Sequence, residues 1–111
     1  MTTRNQGVCL RFYVHENHRH KSILLYEWLL EQARKMGIHG GTAYRAIAGF
    51  GSHGVMREQH FFELAGDLTV RLDFVVSSED AKRLVSLAET EKLTLFYIEF
   101  PVEFGVIGND G

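Results

Sequence analysis

Ten residues from Arg45 to Gly54, RAIAGFGSHG, hold the first cluster of chemically suggestive side chains and backbone in the chain. Gly49, Gly51 and Gly54 fit G-x-G-x-x-G, and Asp73 lies nineteen residues beyond the last glycine. In a dinucleotide-binding fingerprint, such glycines let the backbone approach a pyrophosphate while the acid takes a ribose hydroxyl. The same glycines permit positive φ, and successive exposed N–H groups can form an anion-binding nest. Arg45, Ser52, His53 and Arg57 stand close in sequence to add charge and donors. A plain connection between strands that binds nothing fits the glycines equally well.

A second cluster is HENHRH, which sets His15, His18 and His20 beside Glu16. Imidazole with carboxylate suits zinc, copper or nickel. The spacing matches no zinc-finger or HExxH pattern, no cysteine pair supports it, and Arg19 and Lys21 add positive charge. A solvated loop is the simpler reading, with the three histidines as weak metal candidates. Their joint removal is expected to leave folding and assembly intact.

The elements that must carry these groups show in the hydropathy rhythm. Val8, Leu10, Phe12 and Val14 alternate with Cys9, Arg11, Tyr13 and His15, the pattern of a half-buried strand. Ser22 offers an N-cap, and Leu25, Trp28, Leu29, Ala33 and Met36 recur at helical spacing until Gly37. A second extended segment covers about Thr42 to Phe50. Leu68, Val70, Leu72, Phe74 and Val76 mark a third strand. Ser77 or Ser78 caps a helix whose Ala81, Leu84, Val85 and Ala88 share a face. A last strand runs from about Leu93 to Phe100, ahead of Pro101, the only proline.

This β-α-β-β-α-β order is the split βαβ, or ferredoxin-like, α+β arrangement. It argues against a Rossmann unit, whose parallel strands are buried on both faces and read as continuous apolar runs. One domain over residues 1–111 is expected, with a core at about 8–104 between a polar N-terminal tail and a flexible C-terminal tail.

Composition narrows the function classes. The chain is 45% apolar and 23% charged, with a net charge of -2. That balance gives no general attraction to nucleic acid or anionic membranes. Tyr13, Tyr44 and Phe96 offer sheet aromatics, but the glycine-aromatic signature of RNA-binding sheets is missing from the third strand. The opening residues lack the apolar core of a signal peptide, and no run approaches transmembrane length. Cys9 is the only cysteine, so a reducing cytoplasm is the expected setting. Neither a nucleophile elbow nor a convincing carboxylate pair suggests an enzyme.

LYEWLLEQARKMGIHGGTAYRAIAGFG, Leu25 to Gly51, resembles the PII-like family known as domain of unknown function 190. That family reads Leu-Tyr-Glu, a helix, Ala-Arg-x-x-Gly-Ile-x-Gly-(Ala or Gly)-Thr, then Arg-(Gly or Ala)-Ile-x-Gly-Phe-Gly. Here these are Leu25-Tyr26-Glu27, Ala33-Arg34, Gly37-Ile38, Gly40-Gly41-Thr42 and Arg45-Ala46-Ile47-Ala48-Gly49-Phe50-Gly51. ELAGDLTVRLDFVVSSED resembles the family's third-strand entry, with Thr69 in place of proline.

The resemblance implies a subunit similar to nitrogen-regulatory PII proteins. Such subunits form homotrimers, bind adenine nucleotides (AMP, ADP or ATP) in clefts between subunits, and signal to a transporter or enzyme through the connection between the second and third strands. On this reading Arg45, Gly49, Phe50, Gly51, Ser52 and His53 form the ligand site, and no cofactor is required. The chain departs from the pattern at His15-Glu16-Asn17-His18, where the family commonly has Gly-Glu and further acids. Its connection is also too short for the long effector arm and uridylylation site of PII proteins. The alternatives are a metal-binding trimer using His15, His18 and His20, and a small dimeric ferredoxin-like barrel enzyme.

Overall fold

The computed structural model describes residues 2–50, 62–63 and 68–108. Two long strands form the centre of a four-stranded antiparallel sheet: β1, Asn5–His15, and β7, Thr69–Val76. Their register pairs Leu10 with Phe74 and Phe12 with Leu72. The outer strands are β4, Thr42–Arg45, against β7, and β8, Phe96–Phe104, against β1. The order β4-β7-β1-β8 is that of the ferredoxin-like fold, since each helix must cross over one intervening strand.

Alternation decides which face is covered. Leu10, Phe12, Val14, Val70, Leu72, Phe74 and Val76 project to one side and are buried. Both helices, α1 at Leu25–Lys35 and α2 at Ser78–Thr90, lie over that side. They seat Leu25, Trp28, Leu29, Ala33, Ala81 and Leu84 on it in a single core. Phe12 and Phe74 meet edge to face at 6.3 Å between ring centroids.

Helix ends follow local chemistry. Ser77 caps α2 by accepting from the Asp80 amide at 3.0 Å. Gly37, at φ +88°, closes α1: its N–H donates to Arg34 O, and the N–H of Ile38 donates to Ala33 O. This is the Schellman arrangement, with buried Ile38 completing the apolar contact. Lys92, at φ 60°, does the same for α2.

Three boundaries differ from those read in the sequence. Ser22 is not the N-cap of α1; Leu24 holds that position without a side-chain bond. Lys21 and Ser22 have φ of 52° and 71° and form the two-residue turn of a small hairpin. Its strands are β2, Arg19–His20, and β3, Ile23–Leu24. Positive φ at both central positions matches the twist of a tight hairpin, and that geometry wins over capping.

The second extended segment is also broken. β4 ends at Arg45, and the chain resumes as β5, Gly49–Phe50, paired with β6, Phe62–Glu63, in a separate ribbon. Finally, β8 starts later than expected and runs through Pro101 to Phe104. It is an edge strand, where a residue without an N–H is tolerated.

Candidate functional site

The segment carrying the glycines leaves the sheet after Arg45 and returns at Leu68. Four bonds define that exit. Ala46 N–H donates to Thr69 O at 2.8 Å, and Glu16 N–H donates to Leu68 O at 2.9 Å. The Glu16 carboxylate then reaches both stems. Its Oε2 accepts the Leu68 N–H at 3.0 Å, and its Oε1 accepts Arg45 Nε at 2.7 Å. Glu16 stands directly after β1, so the central strand delivers it to the outgoing and returning chain together.

The pair is unequal in exposure. The Glu16 side chain is 12% exposed and that of Arg45 is 61%. The Leu68 amide first, and Arg45 second, hold the Glu16 carboxyl below its ordinary range. Beyond its bond to Glu16 through Nε, the Arg45 side chain stays largely exposed. A cavity of about 350 Å³ opens beside it. Leu24, Ala43 and Val70 supply apolar lining, while Asn17, Tyr26, Tyr44 and the Glu16–Arg45 pair supply polar atoms. An apolar pocket with a few convergent polar groups suits a small ligand with one anionic part.

The sequence-predicted residues divide. Arg45 lies in this cavity. Gly49 and Phe50 lie further out, on the β5–β6 ribbon, where Gly49 pairs with Glu63 and Phe50 with Phe62. Phe50 is 78% exposed and contributes nothing to the cavity lining. Gly51, Ser52 and His53 lie outside the described residues. Glu16, Asn17 and Tyr26 were not expected at the site. Glu16 and Asn17 stood out only as part of the histidine cluster and Tyr26 only as part of the Leu25-Tyr26-Glu27 motif, and nothing in the sequence tied them to residues 45 and 68.

The histidines go separate ways. His20 packs on Trp28, with ring centroids 4.5 Å apart, and its Nε2 lies 3.0 Å from Glu91 Oε1. Lys21 Nζ joins the same carboxylate at 3.2 Å. His15 is in β1 opposite Thr69. Burial, then the charge of His15 and His20, holds the His18 imidazole below its usual value. Among the described residues, no group of three or more His, Cys, Asp or Glu is placed to hold a metal ion.

The face of the sheet opposite the helices is a second candidate. Arg11 makes a forked contact to Asp73, Nε to Oδ1 at 2.8 Å and the second arm to Oδ2 at 3.3 Å. Arg71 also reaches Asp73 Oδ2, at 3.3 Å, and lies over the Tyr44 ring at 4.4 Å. Arg11 lies over Phe100 at 5.3 Å. Around this network Tyr44, Val75, Phe96 and Phe100 remain between 37% and 48% exposed. A third feature, a cavity of about 390 Å³ between α1 and residues 38–41, contains none of the predicted residues.

Comparison with known proteins places this architecture. Residues 7–96 match the DUF190 family, described as an uncharacterized ACR. The chain belongs to that family. A UPF0166 protein of Aquifex aeolicus is 33% identical over 76 residues, covering 68% of this chain and 72% of the relative. UPF0166 protein MJ1524 of Methanocaldococcus jannaschii is 30% identical over 76 residues, covering 68% and 69%. A crystal structure from Thermus thermophilus, proposed to be a PII-like signaling protein, aligns with a TM-score of 0.60 at 21% identity. That alignment covers 94% of this DUF190 chain and 92% of the neighbour, so the PII-like fold is shared over nearly the whole length.

Proposed function

We propose that this DUF190 protein is a cytoplasmic PII-like regulator that binds an adenine nucleotide (AMP, ADP or ATP) beside Arg45 and reports its presence through residues 46–67. The observation that carries the reading is the position of Arg45. It is an exposed cation lining a cavity with apolar and polar walls, on the stem from which the glycine-bearing connection departs. The receiver would be a transporter or an enzyme, a partner class supported by the family resemblance. Among the described residues, no helix is long and apolar enough to cross a membrane.

The active species in this reading is a homotrimer packed through the helix-free sheet faces. Support comes from the apolar rim of Tyr44, Val75, Phe96 and Phe100 around the Arg11–Asp73–Arg71 network. A small subunit gains buried area by covering such a face with copies of itself.

Calorimetric titration with AMP, ADP and ATP tests the site. Arg45→Ala should weaken the best ligand by about tenfold, near the lower end of roughly 1.5–3 kcal/mol for a charge-assisted bond, because Arg45 is exposed. Gly51→Val should weaken it too, since a branched side chain replaces a residue that would let the backbone come close to a phosphate. A folded wild type that takes up none of the three nucleotides refutes the reading.

A further inference from the structure

Arg45 already has an anion. Its Nε sits 2.7 Å from Glu16 Oε1, in the range of a strong charge-assisted bond. The same carboxylate uses its second oxygen on the Leu68 amide, the first described residue of the returning stem. The Glu16 backbone N–H is fixed to Leu68 O, so the side chain is anchored at both its root and its tip. A ligand phosphate arriving in the adjoining cavity meets a guanidinium whose best bidentate edge is partly taken.

We infer that Glu16 is an internal competitor for the ligand's anionic group, so that ligand occupancy at Arg45 is coupled to the bond Glu16 makes with Leu68. The inference rests on the nucleotide-site reading and deepens it. It assigns to Glu16 the setting of affinity and the first step in passing occupancy to the returning stem.

Competition has an arithmetic consequence. If Arg45 is free of Glu16 for only a fraction of the time, the apparent dissociation constant is the intrinsic one divided by that fraction. An arginine free about a tenth of the time therefore binds its ligand about tenfold more weakly than an uncommitted one. Removing the negative charge of Glu16, while keeping its shape and an acceptor for Leu68, should return that factor. Glu16 is thus a positioning residue acting through Arg45. Its removal should tighten binding, whereas loss of an ordinary contact or of structural support weakens it.

The test is a calorimetric comparison of wild type, Glu16→Gln, Arg45→Ala and the double variant, with inorganic pyrophosphate and ATP as probes. Glu16→Gln should bind pyrophosphate several-fold to about tenfold more tightly than wild type. It should bring no gain in the Arg45→Ala background, because the coupling runs through that guanidinium. In wild-type protein, the Arg45 Nε–H and Leu68 amide resonances should shift together as pyrophosphate is added. Unchanged or weaker binding by Glu16→Gln, or an equal gain without Arg45, overturns the inference. If pyrophosphate shows the expected pattern and no adenine nucleotide binds, the competitor role stands and the nucleotide reading fails. Should Glu16→Gln melt too low to titrate, Glu16→Asp is the substitute. It keeps the charge but is one methylene too short to hold Arg45 and Leu68 together, and it too must bind pyrophosphate more tightly.

Discussion

Val75→Glu should break a trimer built on the helix-free sheet face while leaving the subunit folded. Val75 is in the middle of that face, opposite Cys9 in the register, and is 48% exposed in the isolated chain. Burying a whole valine side chain contributes about 1.5–3 kcal/mol, so covering its exposed half contributes about 0.7–1.4 kcal/mol per subunit. Three copies give about 2–4 kcal/mol, which is roughly 30- to 800-fold in the association constant. Three carboxylates brought toward a closed interface, each near Asp73, increase the loss further. Light scattering across a micromolar dilution series should show the variant dissociating where wild type remains trimeric. Its far-ultraviolet dichroism and urea midpoint should match those of dissociated wild type. A variant that stays trimeric with unchanged dilution behaviour would show that this face is not the interface.

Other outcomes follow from the packing. A Cβ on Gly41 would run into Phe74 Cε1 and lie 2.7 Å from its Cδ1 and 3.2 Å from a Leu30 methyl, so Gly41→Ala should cost about 1–3 kcal/mol in urea unfolding. Phe74→Leu should recover part of that cost, and additive losses in the two variants would refute the contact. His20→Ala should lower stability by more than the roughly 0.5 kcal/mol typical of surface changes, and should red-shift the emission of Trp28. Of the three histidines expected to be removable with folding and assembly intact, His20 is the one whose loss should carry a stability cost, because its ring packs on Trp28. His20 first, then Lys21, holds the Glu91 carboxyl below its ordinary value of 4.5. Its contribution to stability is present above that value and is lost as pH falls through the lower folded-state value. Urea midpoints of Glu91→Gln and wild type should differ at neutral pH and converge in acid; a constant gap would contradict the pairing.

Much of the fold was legible because alternation is a two-sided constraint. Leu10, Phe12 and Val14 against Arg11, Tyr13 and His15 fix both the strand and its buried face, and Val70 to Val76 repeat the signal. Leu25, Trp28, Leu29 and Ala33 fix α1 in the same way. The boundaries that were misread depend on information that hydropathy lacks. Ser22 has the chemistry of a cap, yet its backbone is committed to a hairpin turn by pairing between residues 19–20 and 23–24. Pro101 ends a central strand but not an edge strand, and only the sheet order shows which one β8 is.

The site was less legible for a related reason. Arg45 could be singled out from the glycine-bearing motif. Its partner Glu16 is 29 residues away, and the pairing exists only because β1 ends beside the stems of β4 and β7. The unequal fates of His18 and His20 likewise depend on α1 and α2, not on their shared hexapeptide.

Native mass spectrometry of the intact protein, with and without ATP, ADP and AMP, tests the central claim most directly, because it reads assembly and ligand stoichiometry together. A trimer that takes up as many as three molecules of one adenine nucleotide, and loses them in Arg45→Ala, is the expected result. A monomer, or a dimer that retains none of the three nucleotides, would contradict the account.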